Sequence, residues 1–109
     1  MSKKLTKKEV IDKFSKEYLR LIQENSWIQG YLKTKKKWHY SYDGLWLPDV
    51  NHLFRLIYAM NPLKKERVIA TNEDIYKYVA KLGKLSKTGE CLEEALLKLF
   101  IDLDKNKGQ

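Results

Sequence analysis

Asp43-Gly44 stands between two runs in which aromatic and aliphatic residues alternate with polar ones: Trp38-His39-Tyr40-Ser41-Tyr42 before it and Leu45-Trp46-Leu47 after it. Asp and Gly both tolerate the positive φ that a two-residue type I′ turn requires at its central positions. The spacing predicts a hairpin over 37–47, with Tyr42 opposite Leu45 and Tyr40 opposite Leu47. Side chains alternate along a strand, so Trp38, Tyr40, Tyr42, Leu45 and Leu47 share one face and His39, Ser41 and Trp46 the other. This signal takes the chain out of the all-helical class.

Helical periodicity dominates elsewhere. Thr6-Lys7-Lys8-Glu9 is a capping box, in which each side chain reaches the other residue's amide. It opens a predicted basic helix over 7–25. Val10, Ile11, Phe14, Tyr18, Leu21 and Ile22 form its apolar face, and Lys13, Lys16 and Arg20 lie opposite. Asn25-Ser26 closes it. Pro48-Asp49 opens a second helix, with Val50, Leu53, Phe54, Ile57 and Tyr58 at helical spacing, ended by Asn61-Pro62. Val68-Ile69-Ala70 reads as a short strand. Thr71-Asn72-Glu73-Asp74 reads as a capped, acid-first helix start, with Ile75, Tyr78, Val79 and Leu82 facing inward and Gly83 just past its end. A last helix begins at Ser86 or Thr88 and runs to about 104. Its face is Leu92, Ala95, Leu96, Leu99, Phe100 and Leu103. Leu97 and Ile101 lie nearly opposite, which makes the helix either central to the fold or part of a dimer interface. The expectation is a mainly α, α+β single domain over 1–109: four helices, one β-hairpin, a short strand, a helical core over 48–104 and a frayed tail over 105–109.

Composition narrows the function classes. At 109 residues one domain fits and two do not. No apolar run approaches the roughly 18 residues of a membrane span, and no apolar stretch follows the first lysines as a secretory signal would require. The expected location is cytoplasmic, with no membrane partner. One cysteine forms no internal disulfide, and with two histidines it makes a poor zinc set. Residues 1–37 hold eleven Lys or Arg against four Asp or Glu, whereas 38–109 hold eleven against ten. The formal charge of +8 therefore belongs mostly to the first third. A local field of that sign suits nucleic acid, an anionic surface or an acidic protein, although a lysine-rich face can also serve solubility alone. Nineteen of the 22 basic residues are lysine, a point charge that grips phosphate without reading bases. That usage is compatible with an AT-rich genome, such as a low-GC bacterium, its plasmids or its phages.

No catalytic constellation stands out, and no enzyme activity, cofactor or metal is expected. Adjacent Glu93 and Glu94 point about 100 degrees apart on a helix. His39 and His52 read as surface or packing residues. Cys91 lies near a helix start but among acids that oppose thiolate formation. The run Lys33, Lys35, Lys36 and Lys37 leading into Trp38 and Tyr40 suits phosphate gripping beside base stacking. The competing reading makes the rings core residues, with Trp46 and His39 as the exposed rings.

Residues Val68-Ile69-Ala70-Thr71-Asn72-Glu73-Asp74-Ile75 and Leu82-Gly83-Lys84-Leu85-Ser86-Lys87-Thr88 carry one resemblance. The order helix, strand, helix, glycine turn, helix over 50–104 is similar to the three-helix core of winged helix-turn-helix proteins. The resemblance implies a recognition helix presenting Lys87 and Thr88 first, with Lys84 close by. Taken together, these readings favour a non-enzymatic nucleic-acid-binding protein, with DNA ahead of RNA. Its contacts would be Lys33, Lys35, Lys36, Lys37 and Trp38, extended by Lys13, Lys16 and Arg20, with Lys84, Lys87 and Thr88 as a second surface. A homodimer through Leu97 and Ile101 would double them. The rival is a protein-binding module (a small inhibitor, adaptor or assembly subunit) that docks an acidic partner through basic and aromatic surfaces.

Overall fold

The computed structural model describes residues 3–32, 40–60 and 67–105. Five helices and six strands lie among them: β1 (Lys3–Lys4), α1 (Lys7–Lys13), α2 (Lys16–Glu24), α3 (Ile28–Leu32), β2 (Tyr40–Tyr42), β3 (Leu45–Leu47), α4 (Val50–Met60), β4 (Ile69–Asp74), β5 (Lys77–Leu82), β6 (Leu85–Gly89) and α5 (Leu92–Lys105). They form an α+β domain with two three-stranded sheets, ordered β1-β2-β3 and β4-β5-β6. One apolar cluster draws on both sheets and on all five helices.

The capping box forms: Glu9 N donates to Thr6 Oγ1 at 3.2 Å and Thr6 N to Glu9 Oε1 at 3.1 Å. The helix expected over 7–25 is instead two. Phe14 is extended (φ −123°, ψ 145°) and ends α1, and Ser15 caps α2 by accepting from Tyr18 N at 3.2 Å. A serine hydroxyl that can satisfy an orphan helix donor competes with continuing the helix. The break also lets Phe14 and Tyr18 stack at 4.4 Å between centroids, both inside the core. Asn25 caps α2, with its side-chain amide donating to Leu21 O at 2.9 Å. The chain then turns into α3.

The hairpin has the expected register, Tyr42↔Leu45 and Tyr40↔Leu47, across Asp43 (φ 51°) and Gly44 (φ 78°). Positions 37–39 of the expected hairpin lie outside the described residues. β1 adds in parallel to β2, with Lys3 beside Tyr40 and Lys4 beside Ser41. The outer edge of β3 is closed by a side chain. Gln29 Oε1 accepts from Trp46 N at 2.8 Å, and Gln29 Nε2 donates to Trp46 O at 3.0 Å. The Gln29 amide thus stands in for a neighbouring strand. Trp46, expected as an exposed ring, is half-buried.

Asp49 caps α4, accepting from His52 N at 2.8 Å, and His52 is buried as a packing residue. Tyr18 Oη donates to Pro48 O at 2.7 Å inside the core. Burial pushes the Tyr18 phenol well above its ordinary value, with Glu93, Cys91 and Asp49 adding in the same direction. Tyr18→Phe removes the donor and is expected to cost about 1–2 kcal/mol, the usual penalty for a buried carbonyl losing its partner. Urea unfolding monitored by circular dichroism reads this as a lower midpoint at unchanged slope.

The helix expected over 71–82 is absent. Residues 69–89 are a three-strand meander, with β4 antiparallel to β5 and β5 to β6. Tyr78, Val79 and Leu82 satisfy both a 3.6-residue and a two-residue period, and Thr71, Tyr76, Tyr78 and Val79 all favour strands. Gly83 (φ 59°) is the first residue of a two-residue turn joining Leu82 to Leu85, not a helix terminus. The middle helix on which the winged-helix order rested is therefore missing.

Because β6 takes Leu85–Gly89, α5 begins at Leu92 rather than at Ser86 or Thr88. It still includes Lys105, which had been assigned to the tail; residues 106–109 lie outside the described residues. α5 lies under α4, β5 and β6, and α2 also touches it. Ala95, Leu96, Leu97, Leu99 and Phe100 have no exposed surface and Ile101 is 7% exposed. A helix apolar on both sides is here central to the fold. Leu97 and Ile101 are covered by the chain's own core, so they are not a dimer interface.

Candidate nucleic-acid interface

The first cations in the chain are held by backbone pairing. β1 lies on β2, and Leu5 N extends the ladder by donating to Ser41 O at 2.8 Å. Leu5 is buried and anchors the segment, and the capping box then turns the chain into α1. Lys4, Lys7, Lys8 and Lys16 are exposed, and none forms an ion pair with another described residue. Lys13 is exposed on α1. Its ammonium stands 4.7 Å from the Tyr40 ring centre and 5.7 Å from that of Phe14. That geometry gives cation–π attraction and fixes the lysine over the first residue of β2. Leu5, Glu9, Asp12, Lys13 and Tyr40 line an open groove there, and its two carboxylates reduce the local positive charge.

The other expected contacts divide. Arg20 is exposed, but its guanidinium is held by Glu17 and Glu24 on the same helix. Those partners, through hydrogen bonds first and charge second, push its pKa further up. The arginine is thereby turned toward acids rather than left as a bidentate fork. Lys84 is exposed in the β5–β6 turn. Lys87 is on β6 and pairs with Asp102 Oδ2 at 3.0 Å. Thr88 is exposed on β6, where its carbonyl accepts from Lys98 Nζ at 2.9 Å. Neither Lys87 nor Thr88 opens a helix, so the recognition-helix geometry expected for them does not exist. Lys33, Lys35, Lys36, Lys37 and Trp38 lie outside the described residues.

Two features went unread in the sequence. Lys4, Lys7 and Lys8 join the interface because β1 pairs with a strand more than thirty residues away, which no local pattern signals. Ile75 and Tyr76 form the β4–β5 turn at 74% and 76% exposure; the helical reading had placed Ile75 inside.

A polar clamp joins the cap of α2 to the first turns of α5. Glu94, 2% exposed, accepts at Oε1 from Ser15 Oγ (2.6 Å) and Glu90 N (3.2 Å), and at Oε2 from Lys98 Nζ (2.8 Å). The Cys91 thiol donates to Ser15 Oγ at 3.6 Å, and burial raises its pKa. A thiol kept protonated in this way is a poor nucleophile. Burial also raises the Glu93 carboxyl, with Asp49 adding and Lys13 opposing. Among the described residues no group of three His, Cys, Asp or Glu side chains is placed to hold a metal ion. No described helix is long and apolar enough to cross a membrane. Comparison with known proteins finds no matching family, no curated relative and no similar solved structure.

Proposed function

We propose that this chain is a small basic nucleic-acid-binding protein that grips the phosphate backbone, of DNA ahead of RNA, through cations gathered around the β1–β2 junction. The supporting observation is the parallel pairing of β1 on β2. It fastens Lys3 and Lys4 to the strand that Lys33, Lys35, Lys36 and Lys37 lead into along the sequence. Lys7, Lys8 and Lys16 follow on α1 and α2, exposed and without described ion-pair partners. Lysines of this kind bind without reading bases, so affinity should be nearly independent of sequence and steeply dependent on salt.

Fluorescence anisotropy on random duplex and single-stranded oligonucleotides, across a salt series, tests this. Replacing Lys4, Lys7, Lys8 and Lys16 together by Gln is expected to flatten the log–log salt slope for duplex by about 3.6, since each neutralised phosphate contributes about 0.9. No binding at low salt, or an unchanged slope, overturns the reading. A second reading, a protein-binding module, is favoured by Ile75 and Tyr76. An aliphatic and an aromatic side chain projecting from a hairpin turn are of the kind that fills a partner's pocket.

A further inference from the structure

The two sheets treat their margins differently. Gln29 closes the outer edge of β3. On β6, Lys98 occupies the Thr88 carbonyl and Asp102 holds Lys87. Among the described residues β4 pairs with β5 alone, and all six of its residues are exposed. β5 and β6 rest on α5, whereas β4 overhangs it. Its sequence, Ile69-Ala70-Thr71-Asn72-Glu73-Asp74, has no lysine or proline to discourage pairing. Its guards among the described residues are the two terminal acids and the irregularity between Asn72 and Asp74 that they share, which leaves Ile69–Asn72 regular and uncharged. An open strand edge of this kind is a template for another strand.

We propose that β4 pairs antiparallel with β4 of a second copy of this chain, about a two-fold axis through Ala70, joining the two three-stranded sheets into one of six. This assignment is independent of the nucleic-acid reading. Charge order selects both the occupant and the register. Arg67 precedes the strand, and Glu73 lies near its end. An antiparallel copy brings opposite ends together, so with Ala70 on the axis Ile69 faces Thr71 twice, and Arg67 comes opposite the irregularity that holds Glu73 and Asp74, also twice. Moving the axis to Thr71 puts Ile69 against Glu73 and loses both charge pairs. Moving it to Asn72 puts Ala70 against Asp74, beyond the irregularity. Glu73 already lies 3.2 Å from Lys77 Nζ on its own hairpin, so Arg67 would share that carboxylate. Exposed pairs of this kind fix register more than they supply affinity. The ladder is short and falls below the roughly 1,200 Å² of a standard interface, so assembly should depend on concentration.

Sedimentation equilibrium of the full chain, from about 5 to about 500 µM, covers the range in which so small an interface assembles. A monomer–dimer equilibrium is expected. Arg67→Glu and Glu73→Lys should each weaken it about tenfold, because each places like charges together at two points. An equimolar mixture of the two variants restores attraction at both points and should return to wild-type strength. Ala70→Lys, at an exposed position, should abolish the dimer while leaving the circular dichroism spectrum intact. A wild-type chain that stays monomeric throughout overturns the proposal and leaves the edge to a foreign extended peptide. So does a dimer indifferent to these substitutions, or a mixture no stronger than its components.

Discussion

Replacing Glu94 with alanine is expected to destabilise the fold by about 3 kcal/mol, the cost of breaking a buried ion pair from one side. Few single changes reach that size. Glu94 joins three separate parts of the chain through one carboxylate: the cap of α2, the segment after β6, and the first turns of α5. Removing it leaves Ser15 Oγ without its acceptor and Lys98 with only the Thr88 carbonyl. Burial by itself would push the Glu94 carboxyl up. Lys98, the Ser15 hydroxyl and the Glu90 amide outweigh burial and hold it below the ordinary carboxylate value. A carboxylate depressed in the folded state stabilises fully above its unfolded pKa, about 4.3. That contribution is lost as pH falls below this value through the lower folded pKa. Glu93, raised by burial, has the opposite sign and loses stability as pH rises through its window. Glu94→Gln keeps the shape and the acceptor oxygen but cannot titrate. Its unfolding free energy, measured by urea titration from about pH 3 to pH 7, should decline less on the acid side than that of the wild type, by the share that the depressed Glu94 carboxylate contributes.

Gly89→Ala is expected to cost about 3 kcal/mol, the upper part of the range for overpacking a closed site. A methyl group at Gly89 would stand 2.7 Å from the Ala95 backbone nitrogen and 2.8 Å from Glu94 Cβ. The nitrogen belongs to the first turns of α5 and cannot rotate away. The helix must instead lift from β6, which strains the Glu94 contacts as well. Gly30→Ala is the matched control. Nothing lies within 4 Å of the position and α3 is helical there. The change should therefore be neutral or stabilising by about 0.5–1 kcal/mol. Thermal melts of the two variants side by side separate a steric cost from the general effect of replacing glycine.

The sequence made some of this legible. Asp43-Gly44, the Thr6 and Glu9 pair, and Pro48-Asp49 are local signals whose chemistry lies within four residues, and each forms the turn or helix start it predicts. The failures were contests between local pattern and distant partners. Residues 71–82 carry an acceptable helix start and an ambiguous apolar period. The ladder from β4 to β6 and the underside of α5 decided for strand. Leu97 and Ile101 looked surplus to one helical face because nothing local shows that α5 is surrounded. In the candidate interface, exposed Lys13, Lys16 and Lys84 were legible from the helical wheel and turn signals. The neutralisation of Lys87 by Asp102 depends on tertiary packing and was not. Lys4, Lys7 and Lys8 gained their place only through a parallel pairing that leaves no trace in periodicity.

Ser15 and Glu94 meet across 79 positions of sequence. During synthesis the basic segment emerges well before the carboxylate that completes its second helix cap. Long-range closure of this kind slows folding and leaves early segments waiting, incompletely packed, on the ribosome. The cell would therefore meet those lysines as an open polycation before it meets the finished domain.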